Sequence, residues 1–388
     1  MMLAHDITRQ KLTLSRAIAD DSGYTGRGMA MKKRLSTLDD VAQKAGVSHQ
    51  TVSRVLNKPE MVSPATRQRV LEAMDALQFV PNRSAQLLAG KTTRTLGFIT
   101  VSLALHAPSQ IAAAIKSHAA RANYSVVIAT LETGTLEELQ RSLNEMRAQK
   151  VDGVIINLPL GAEAAASLVN DNSDLLCLFL DVPADSDVFH VSFDPRDGSR
   201  QSVEFLLNGG HQRIALLAGP EHSVASGMRL ACWQEVLDAH GLAPCAVLHG
   251  DWSSKDAWQQ TLSLFRTRRD ITALVVANDQ MAFGAMSALD ELGLRVPQDV
   301  SVIGYDDTPD SAYFIPPLTT VEQDFNQLGA QAVSRMVARL TGHGESGSAL
   351  LPTRFIERRS TAPLGDRNAS RERLLDEMAR LVKALREC

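Results

Sequence analysis

Five side chains suited to hydrogen bonding with vicinal hydroxyls, and one indole, follow apolar, strand-like runs in the larger part of the chain. Carboxylates, amides and a guanidinium bind hydroxyls, and an indole face fits the apolar side of a sugar ring. Asn and Asp are also common helix caps, so each residue alone has an ordinary structural explanation. Their recurrence after successive strands favours a sugar site. The six are Asn157, Asp181, Arg229, Trp252, Asn278 and Asp306.

A second set of reactive side chains lies near the amino terminus, within STLDDVAQKAGVSHQTVSRVLN. His49, Gln50, Ser53 and Arg54 share the polar face of a predicted helix. Gln pairs in bidentate fashion with adenine and Arg with guanine, in the major groove of DNA. The pattern therefore predicts a DNA-reading helix. The alternative is an amphipathic hairpin with a solvated polar face.

The elements that position this second set form a predicted helix-turn-helix over 36–57. Leu38, Val41, Ala42 and Ala45 have helical spacing, and Gly46 ends the run. Ser48 is an N-cap candidate for the second helix, which places its first residues against base edges in this motif. Ser63 and Pro64 open a third helix, whose predicted core residues are Val70, Leu71, Met74 and Leu77.

From Leu96 onwards, apolar runs alternate with helical segments. Continuous apolar strands between helices indicate buried parallel sheets, and the length predicts two doubly wound α/β lobes. Ligands in such folds bind beyond the carboxyl ends of strands. The predicted strands are Leu96–Val101, Ser125–Thr130, Gly153–Leu158, Leu175–Leu180, Ile214–Ala218, Ala273–Ala277 and Val300–Gly304. The helices include Gln110–Ala122, Leu136–Gln149, Gly198–Asn208 and Met281–Leu292.

The net charge of −4 is unevenly distributed along the 388 residues. Residues 32–91 hold ten Lys or Arg and five Asp or Glu, a net of +5, and residues 1–31 carry +1, so 92–388 carry −10. A basic module on an acidic body fits a polyanionic partner that meets one end of the protein. Scattered cysteines, and the lack of an apolar leader or a span-length apolar run, predict a cytoplasmic protein.

Motifs for catalysis do not compete with a binding function. The sequence contains no G-x-x-x-x-G-K-[ST], H-E-x-x-H, G-x-S-x-G or G-x-G-x-x-G motif. The glycine-rich segment 342–347 is predicted to be a surface loop. We therefore expect neither an enzyme nor a metal or organic cofactor.

The segments that flank the basic module are also informative. Residues 1–31 are interpreted as a disordered extension or an upstream start, with Met29 or Met31 as the working start. Residues 81–91 are predicted to be a hinge helix, too short to be stable without a packing partner. A plain linker is the alternative, although the adjacent Leu87 and Leu88 argue against it. A leucine here could wedge into a minor-groove base step.

The chain ends in a polar linker, 361–369, and a predicted helix, 370–388. Leu374, Met378, Leu381 and Leu385 occupy heptad a and d positions, so self-association is expected. About two heptads favour a four-helix bundle over a two-stranded coil. A helix folded back on the body is the alternative.

From about Lys33 to the last helix, the sequence resembles the LacI-GalR family of transcriptional repressors. The stretches that carry the resemblance are DVAQKAGVSHQTVSRVLN, VPNRSAQLLAGK, SLALHAPSQI, LFLDV, ALLAGP, GDWS, VANDQMAFGAM, GYDDT, IPPLTT and EQDF. The resemblance implies a periplasmic-binding-protein-like core and a galactoside effector such as allolactose. It also implies palindromic double-stranded operator DNA as partner, and a homodimer or homotetramer associated with the nucleoid.

The resemblance divides the chain into modules. It implies a headpiece at 32–80, a hinge helix at 81–91, a two-lobed sugar-binding core at 92–360 and a tetramerisation helix at 370–388. One lobe comprises about 92–193 and 325–352, and the other about 194–324 and 353–360.

The resemblance also implies roles for individual residues. The implied DNA contacts are His49, Gln50, Thr51, Ser53, Arg54, Asn57, Ser63, Asn82 and Leu88. The implied ligand pocket comprises Leu105, Pro108, Ile111, Asn157, Asp181, Phe193, Arg229, Trp252, Asn278, Asp306, Gln323, Phe325 and Leu328. Dimer-interface and switching roles fall to His106, Lys116 and Asp310.

The sequence departs from the resembled repressors at four informative positions. Asp39 and His49 stand where those repressors carry Tyr, which leaves the preferred operator open. Val101 and Ala225 replace Ser in or near the pocket, which leaves the preferred galactoside open. Three alternatives remain: a family repressor that answers another sugar or a purine, a sugar-metabolising enzyme with a helical appendage, and a sugar-transport receptor.

Overall fold

The computed structural model describes residues 36–79, 93–345, 347–364, 374–380 and 383. The chain separates into two compact units, residues 1–89 and 90–388. The predictions for 1–31, for the hinge at 81–91 with Asn82 and Leu88, and for Leu381 and Leu385 lie outside the described residues.

Within residues 36–79, the described part of the smaller unit, three α-helices each begin directly after a residue whose side chain caps the helix. Thr37 and Asp40 form a capping box, and Gly46 ends the first helix in the left-handed conformation. Ser48 and Ser63 accept hydrogen bonds from the main chain of the second and third helices, as predicted. The helices are α1 (Leu38–Ala45), α2 (His49–Asn57) and α3 (Pro64–Ala76), with a 3₁₀ turn at Pro59–Met61.

The core of the smaller unit differs from the prediction at one position. Leu71 is 43 % exposed, whereas Val70, Ala73 and Met74 are buried. Residue 71 lies about 100° around the helix from residue 70, so it leaves the stripe that residues 70, 73, 74 and 77 share. The prediction that Leu71 is a core residue is therefore wrong.

The larger unit is built on two four-stranded parallel sheets with helices around them, which confirms the predicted fold class. The strands of the two sheets are β1 (Thr95–Thr100), β2 (Ser125–Thr130), β3 (Gly153–Asn157), β4 (Leu176–Phe179), β6 (Ile214–Ala218), β7 (Ala246–His249), β8 (Ala273–Val276) and β9 (Ser301–Ile303). The first sheet has the order β2-β1-β3-β4 and the second β7-β6-β8-β9. All seven predicted runs are among these strands, with ends displaced by one residue at most.

Four further short strands accompany the passages of the chain between the two sheets. β5 (Val191–Asp194) pairs with β11 (Ala349–Pro352) in parallel, and β10 (Thr320–Glu322) pairs with β12 (Arg354–Ile356) in antiparallel fashion. These four strands and β7 are not among the strands predicted from the sequence. All five are only three or four residues long, so they carry little periodic signal.

The helices of the larger unit cover both sheets and bury three apolar clusters. The cluster around the second sheet includes the fully buried Trp233, Phe265 and Tyr305. No helix in the described part of the chain is long and apolar enough to cross a membrane. The helices are α4 (His106–Arg121), α5 (Leu136–Ala148), α6 (Ala162–Asp171), α7 (Arg196–Asn208), α8 (Val224–Ala239), α9 (Ser254–Thr267), α10 (Asp279–Glu291) and α11 (Phe325–Thr341).

The predicted linker at 361–369 begins as part of the core. The main-chain N–H of Ala362 donates to Ser301 Oγ at 3.1 Å, and that of Leu364 donates to the carbonyl of Gly209 at 2.9 Å. Residues 361–364 are therefore fixed to the second sheet. Further along, residues 374–380 are helical.

Candidate ligand pocket and nucleic-acid interface

A cavity of about 510 Å³ lies at the carboxyl ends of strands from both sheets. Several lining residues end these strands or lie shortly beyond them, because parallel strands bring their carboxyl ends to one edge of a sheet. All thirteen predicted pocket residues line this cavity. They are Leu105, Pro108, Ile111, Asn157, Asp181, Phe193, Arg229, Trp252, Asn278, Asp306, Gln323, Phe325 and Leu328.

The Arg229 guanidinium is the fixed cation of the cavity. Its Nη2 donates to Gln323 Oε1 at 2.7 Å, and its Nη1 donates to the carbonyl of Ala277. The guanidinium carbon lies 3.9 Å from the centre of the Tyr305 ring, and Arg229 is 6 % exposed. Two acceptors and an aromatic face therefore hold this side chain in place before any ligand enters.

Asp306 supplies an acceptor whose hydrogen-bonding capacity is not used within the described chain. Its Oδ1 is buried without a hydrogen-bond partner there, 3.9 Å from Arg229 Nη1. Burial raises the pKa of Asp306 to about 8, although the charge of Arg229 opposes that rise. Its backbone φ of 114° is strained for a residue with a side chain. An acceptor held in this way suits a ligand hydroxyl.

Asp181 and two asparagines complete the polar lining. Burial raises the pKa of Asp181 to about 6, while Arg229 and the Ala225 main-chain N–H lower it. Asn157 Nδ2 donates to Thr100 Oγ1 at 3.2 Å. Asn278 Oδ1 accepts from the Met281 main-chain N–H at 2.8 Å, so Asn278 caps α10 and lines the cavity at the same time.

The aromatic side of the cavity depends on one close backbone approach. A Cβ built on Gly219 would lie 2.3 Å from the Trp252 ring, so glycine is the residue that leaves room for this indole. Trp252 itself has a φ of 72°. Across the cavity lining, Phe193 and Phe325 contact each other edge to face, with ring centres 5.8 Å apart. Apolar faces beside hydrogen-bonding groups are what a sugar ring requires.

We expect Asp306→Asn to flatten the pH dependence of the stability of the ligand-free protein. The pKa of Asp306 is about 8 in the folded protein, whereas a free Asp side chain has a pKa of about 4. The contribution of Asp306 to the free energy of unfolding is therefore fully present below about pH 4. That stability is lost as pH rises through about 8. Asp181 and Asp279, whose pKa values burial also raises, act in the same direction.

The measurement is the free energy of unfolding in urea from about pH 5 to about pH 9. Asp185→Asn, which removes an exposed carboxylate, is the control and should retain the wild-type slope. An Asp306→Asn slope equal to that of the wild type would contradict the assignment.

The predicted DNA-reading residues lie along one face of α2. His49, Gln50 and Arg54 are exposed, and Thr51 and Ser53 are half-buried. The opposite face buries Val52 and Val55. The predicted DNA-reading side chains therefore project from a helix anchored by its apolar face.

Two further predicted DNA-contact residues, Ser63 and Asn57, lie in the described part of the chain. Ser63 is exposed, and its hydroxyl caps α3 by accepting from the Thr66 main-chain N–H. Asn57 ends α2, with its side chain outside the described part.

The predicted dimer-interface residues lie on α4 and in the 3₁₀ turn Pro309–Ala312. The His106 main-chain N–H donates to Gln280 Oε1 at 3.0 Å. Burial lowers the pKa of His106, and the charge of Asp310 opposes this. Lys116 is exposed on α4, and Asp310 is exposed in that turn.

Two of the predicted tetramerisation residues lie in the described part of the chain. Leu374 and Met378 are 45 % and 61 % exposed.

Comparisons with known proteins agree with both modules. Residues 37–82 match the family model "Bacterial regulatory proteins, lacI family", and residues 203–361 match a periplasmic binding protein-like domain. The lactose operon repressor of Klebsiella pneumoniae is 49 % identical over 355 residues, which cover 92 % of this chain and all of that protein. This match spans both modules and the connection between them.

The chain belongs to the lacI family of bacterial regulatory proteins.

Solved structures of relatives in this family superpose on the chain. A lac repressor dimer bound to operator and the anti-inducer ONPF is 46 % identical, with a TM-score of 0.79. The similarity covers 85 % of this chain and 100 % of that one. A dimeric lac repressor with an 11-residue C-terminal deletion is 44 % identical, with a TM-score of 0.67, over 69 % of this chain and 98 % of that one.

Several cavity residues of this family member are absent from the sequence prediction. Ser192 lies in β5, which the sequence analysis does not name, and Gln280 follows the predicted Asn278 in α10. His222, Met228 and Asp251 also line the cavity. His222 and Asp251 are exposed residues that precede α8 and α9, and Asp251 is the neighbour of the predicted Trp252. Both departures at Val101 and Ala225 also fall on the lining.

Proposed function

We propose that the chain is a transcriptional repressor that binds operator DNA and that a galactoside releases from it. The observation that carries this proposal is the match to a lactose operon repressor over 92 % of the chain. The cavity supports it, because charged and amide groups surround an apolar, aromatic-lined space suited to sugars. The protein is therefore a regulator and not an enzyme.

The proposed mechanism is an equilibrium between two states of the larger unit. Without ligand, the dimer holds its two hinge segments, 81–91, together so that they fold on the operator. A galactoside binds between the two sheets, favours another arrangement of the lobes and separates the hinges. The ligand shifts the equilibrium only by the difference between its affinities for the two states.

Self-association completes the proposed function. The related lac repressor that lacks eleven C-terminal residues is a dimer. We propose that the helix at 370–388 joins two such dimers into a tetramer, through Leu374, Met378, Leu381 and Leu385. Because operators are part of the bacterial chromosome, we place the repressor in the cytoplasm, associated with the nucleoid through its DNA.

A selected-oligonucleotide binding assay with and without allolactose tests the proposed function. We expect a palindromic site to be enriched and then released when allolactose is added. Calorimetry with galactosides, other sugars and purines distinguishes the competing effectors. Binding of a purine or a non-galactoside sugar, with no response to galactosides, would overturn the effector assignment.

Operator affinity should fall steeply as salt concentration rises. Each phosphate that a Lys or Arg neutralises adds about 0.9 to the slope of log K against log salt. The net charge of +5 over residues 32–91 is the source of this dependence. Fluorescence anisotropy on the selected operator measures the slope, and a flat response would contradict DNA as the partner.

We expect Gly219→Ala to weaken allolactose binding about tenfold or more, because the added methyl displaces the Trp252 indole. Calorimetry measures the change. The matched control is Gly227→Ala in α8, where a Cβ meets nothing within 4 Å and alanine favours the helix. Equal allolactose affinity in both variants would show that the indole position does not depend on Gly219.

A further inference from the structure

Asp279 is a fully buried carboxylate that does not line the ligand cavity. It is the first residue of α10, directly after Asn278. Its Oδ2 accepts from the Thr308 main-chain N–H at 2.8 Å and from Ser311 Oγ at 2.6 Å. Its Oδ1 accepts from Thr320 Oγ1 at 2.6 Å. Three donors from two other segments of the chain therefore converge on one side chain.

Two of the bonds of Asp279 flank the strained part of the pocket. Its main-chain N–H donates to the Tyr305 carbonyl at 2.7 Å, and its carboxylate binds the Thr308 N–H. Between these points lie Asp306 and Asp307, with φ values of 114° and 55°. Strained backbone of this kind persists only where its surroundings fix it. Asp279 therefore forms hydrogen bonds with the chain on both sides of the ligand-facing Asp306.

The other bonds of Asp279 lead to two separate segments. Thr320 begins β10, which runs into Gln323, the acceptor of Arg229 Nη2. Ser311 lies in the 3₁₀ turn Pro309–Ala312, beside Asp310. That turn is followed by Tyr313 and Ile315, which are 84 % and 94 % exposed. The Asp279 carboxylate thus connects β10, which leads to the cavity residue Gln323, with the 3₁₀ turn that precedes the exposed Tyr313.

We propose that Asp279 is the positioning residue of the ligand site: it holds Asp306 and Gln323 in their ligand-facing geometry and ties both to the surface turn Pro309–Ala312. This proposal rests on the proposed function for the identity of the ligand. It does not assign Asp279 any direct contact with the ligand, because its carboxylate is enclosed by protein donors.

The first variant to test is Asp279→Ala in the full-length protein. We expect allolactose affinity to fall at least about tenfold, since three hydrogen bonds to a charged group are lost. Operator affinity without allolactose should stay within about threefold of the wild type. Asp279→Asn should recover most of the allolactose affinity. An asparagine oxygen still accepts from Thr308 and Ser311, and its NH₂ donates to the Thr320 hydroxyl.

Two milder variants separate the branches and protect against misfolding. Thr320→Val removes the Oδ1 bond, and Ser311→Ala removes one of the two Oδ2 bonds. The matched control is Thr261→Val, because Thr261 is equally buried and its hydroxyl has no hydrogen-bond partner in the described chain. We expect both test variants to weaken allolactose binding and the control to leave it unchanged.

Hydrogen exchange on the ligand-free protein gives a readout that does not depend on the ligand. Asp279→Ala should speed exchange at the amides of Asp306 and Thr308 and leave the amides of β8 protected. If the wild-type protein does not bind allolactose, the proposed function is wrong. The exchange result still tests whether Asp279 holds the segment that contains Asp306 and Thr308. The proposal is overturned if exchange at these amides is unchanged, or if operator and allolactose binding weaken in parallel in Asp279→Ala and Asp279→Asn alike.

Discussion

Replacing Arg229 with alanine is expected to abolish the response to allolactose while operator binding persists. The guanidinium is the fixed cation of the cavity, and its two hydrogen bonds aim it before ligand arrives. Alanine removes the donors that a sugar hydroxyl would use and leaves Gln323 without its partner. The predicted DNA-reading side chains on α2 belong to the other compact unit of the chain, so their contacts should not depend on Arg229.

The expected loss of allolactose affinity is at least a hundredfold. A hydrogen bond to a charged group contributes about 1.5–3 kcal/mol, and about 1.4 kcal/mol corresponds to tenfold in affinity. The variant also removes the positive charge that lowers the pKa of Asp306. Asp306 therefore stays protonated to a higher pH, which limits the loss of stability from an unpaired buried charge.

Arg354→Ala is the matched control for Arg229→Ala. Arg354 is exposed, and its ion pair with Glu322 lies at the surface of the β10–β12 pair, near Gln323. Exposed pairs contribute about 0–1 kcal/mol, so this variant should respond to allolactose like the wild type. Operator binding and its release by allolactose are measured on both proteins. Loss of operator binding in Arg229→Ala would contradict the separation of the two functions.

The pocket could be predicted from sequence because its geometry follows from the sheets. Asn157 ends β3, and Asp181, Asn278 and Asp306 lie shortly beyond β4, β8 and β9. Parallel strands bring such residues to one edge of a sheet. The resemblance supplied the apolar lining around them. The sequence left open whether Asn278 is a helix cap or a pocket residue. In the structure it caps α10 and also lines the cavity.

The parts that escaped prediction depend on contacts distant in sequence. Asp279 reads as an ordinary first-turn acid, yet its partners Thr308, Ser311 and Thr320 lie 29 to 41 residues away. Gly219 looks like a turn residue until the Trp252 ring is placed against it. Leu71 belongs to an amphipathic helix, but only the packing of α1 against α3 shows which stripe is buried.

Truncation after Gly365 is expected to convert a tetramer into dimers that still bind a single operator. The helix at 374–380 exposes Leu374, Leu375 and Met378, which are 45 %, 56 % and 61 % exposed. One short helix cannot bury such a stripe by itself. Full burial of an exposed Leu or Met side chain contributes about 1.5–3 kcal/mol, so each of these half-exposed side chains gains about half of that against a partner. The headpiece, the pocket and the two sheets lie before the truncation point.

Analytical ultracentrifugation gives the oligomeric state, and anisotropy gives the affinity for one operator. Met378→Glu in the full-length chain tests the same interface without shortening the protein, because a charge at a heptad core position opposes its burial. Glu377→Gln alters the neighbouring polar position and should leave the tetramer intact. A truncated chain that sediments as a tetramer would place the assembly interface elsewhere. Loss of single-operator binding on truncation would instead show that the helix supports the dimer itself.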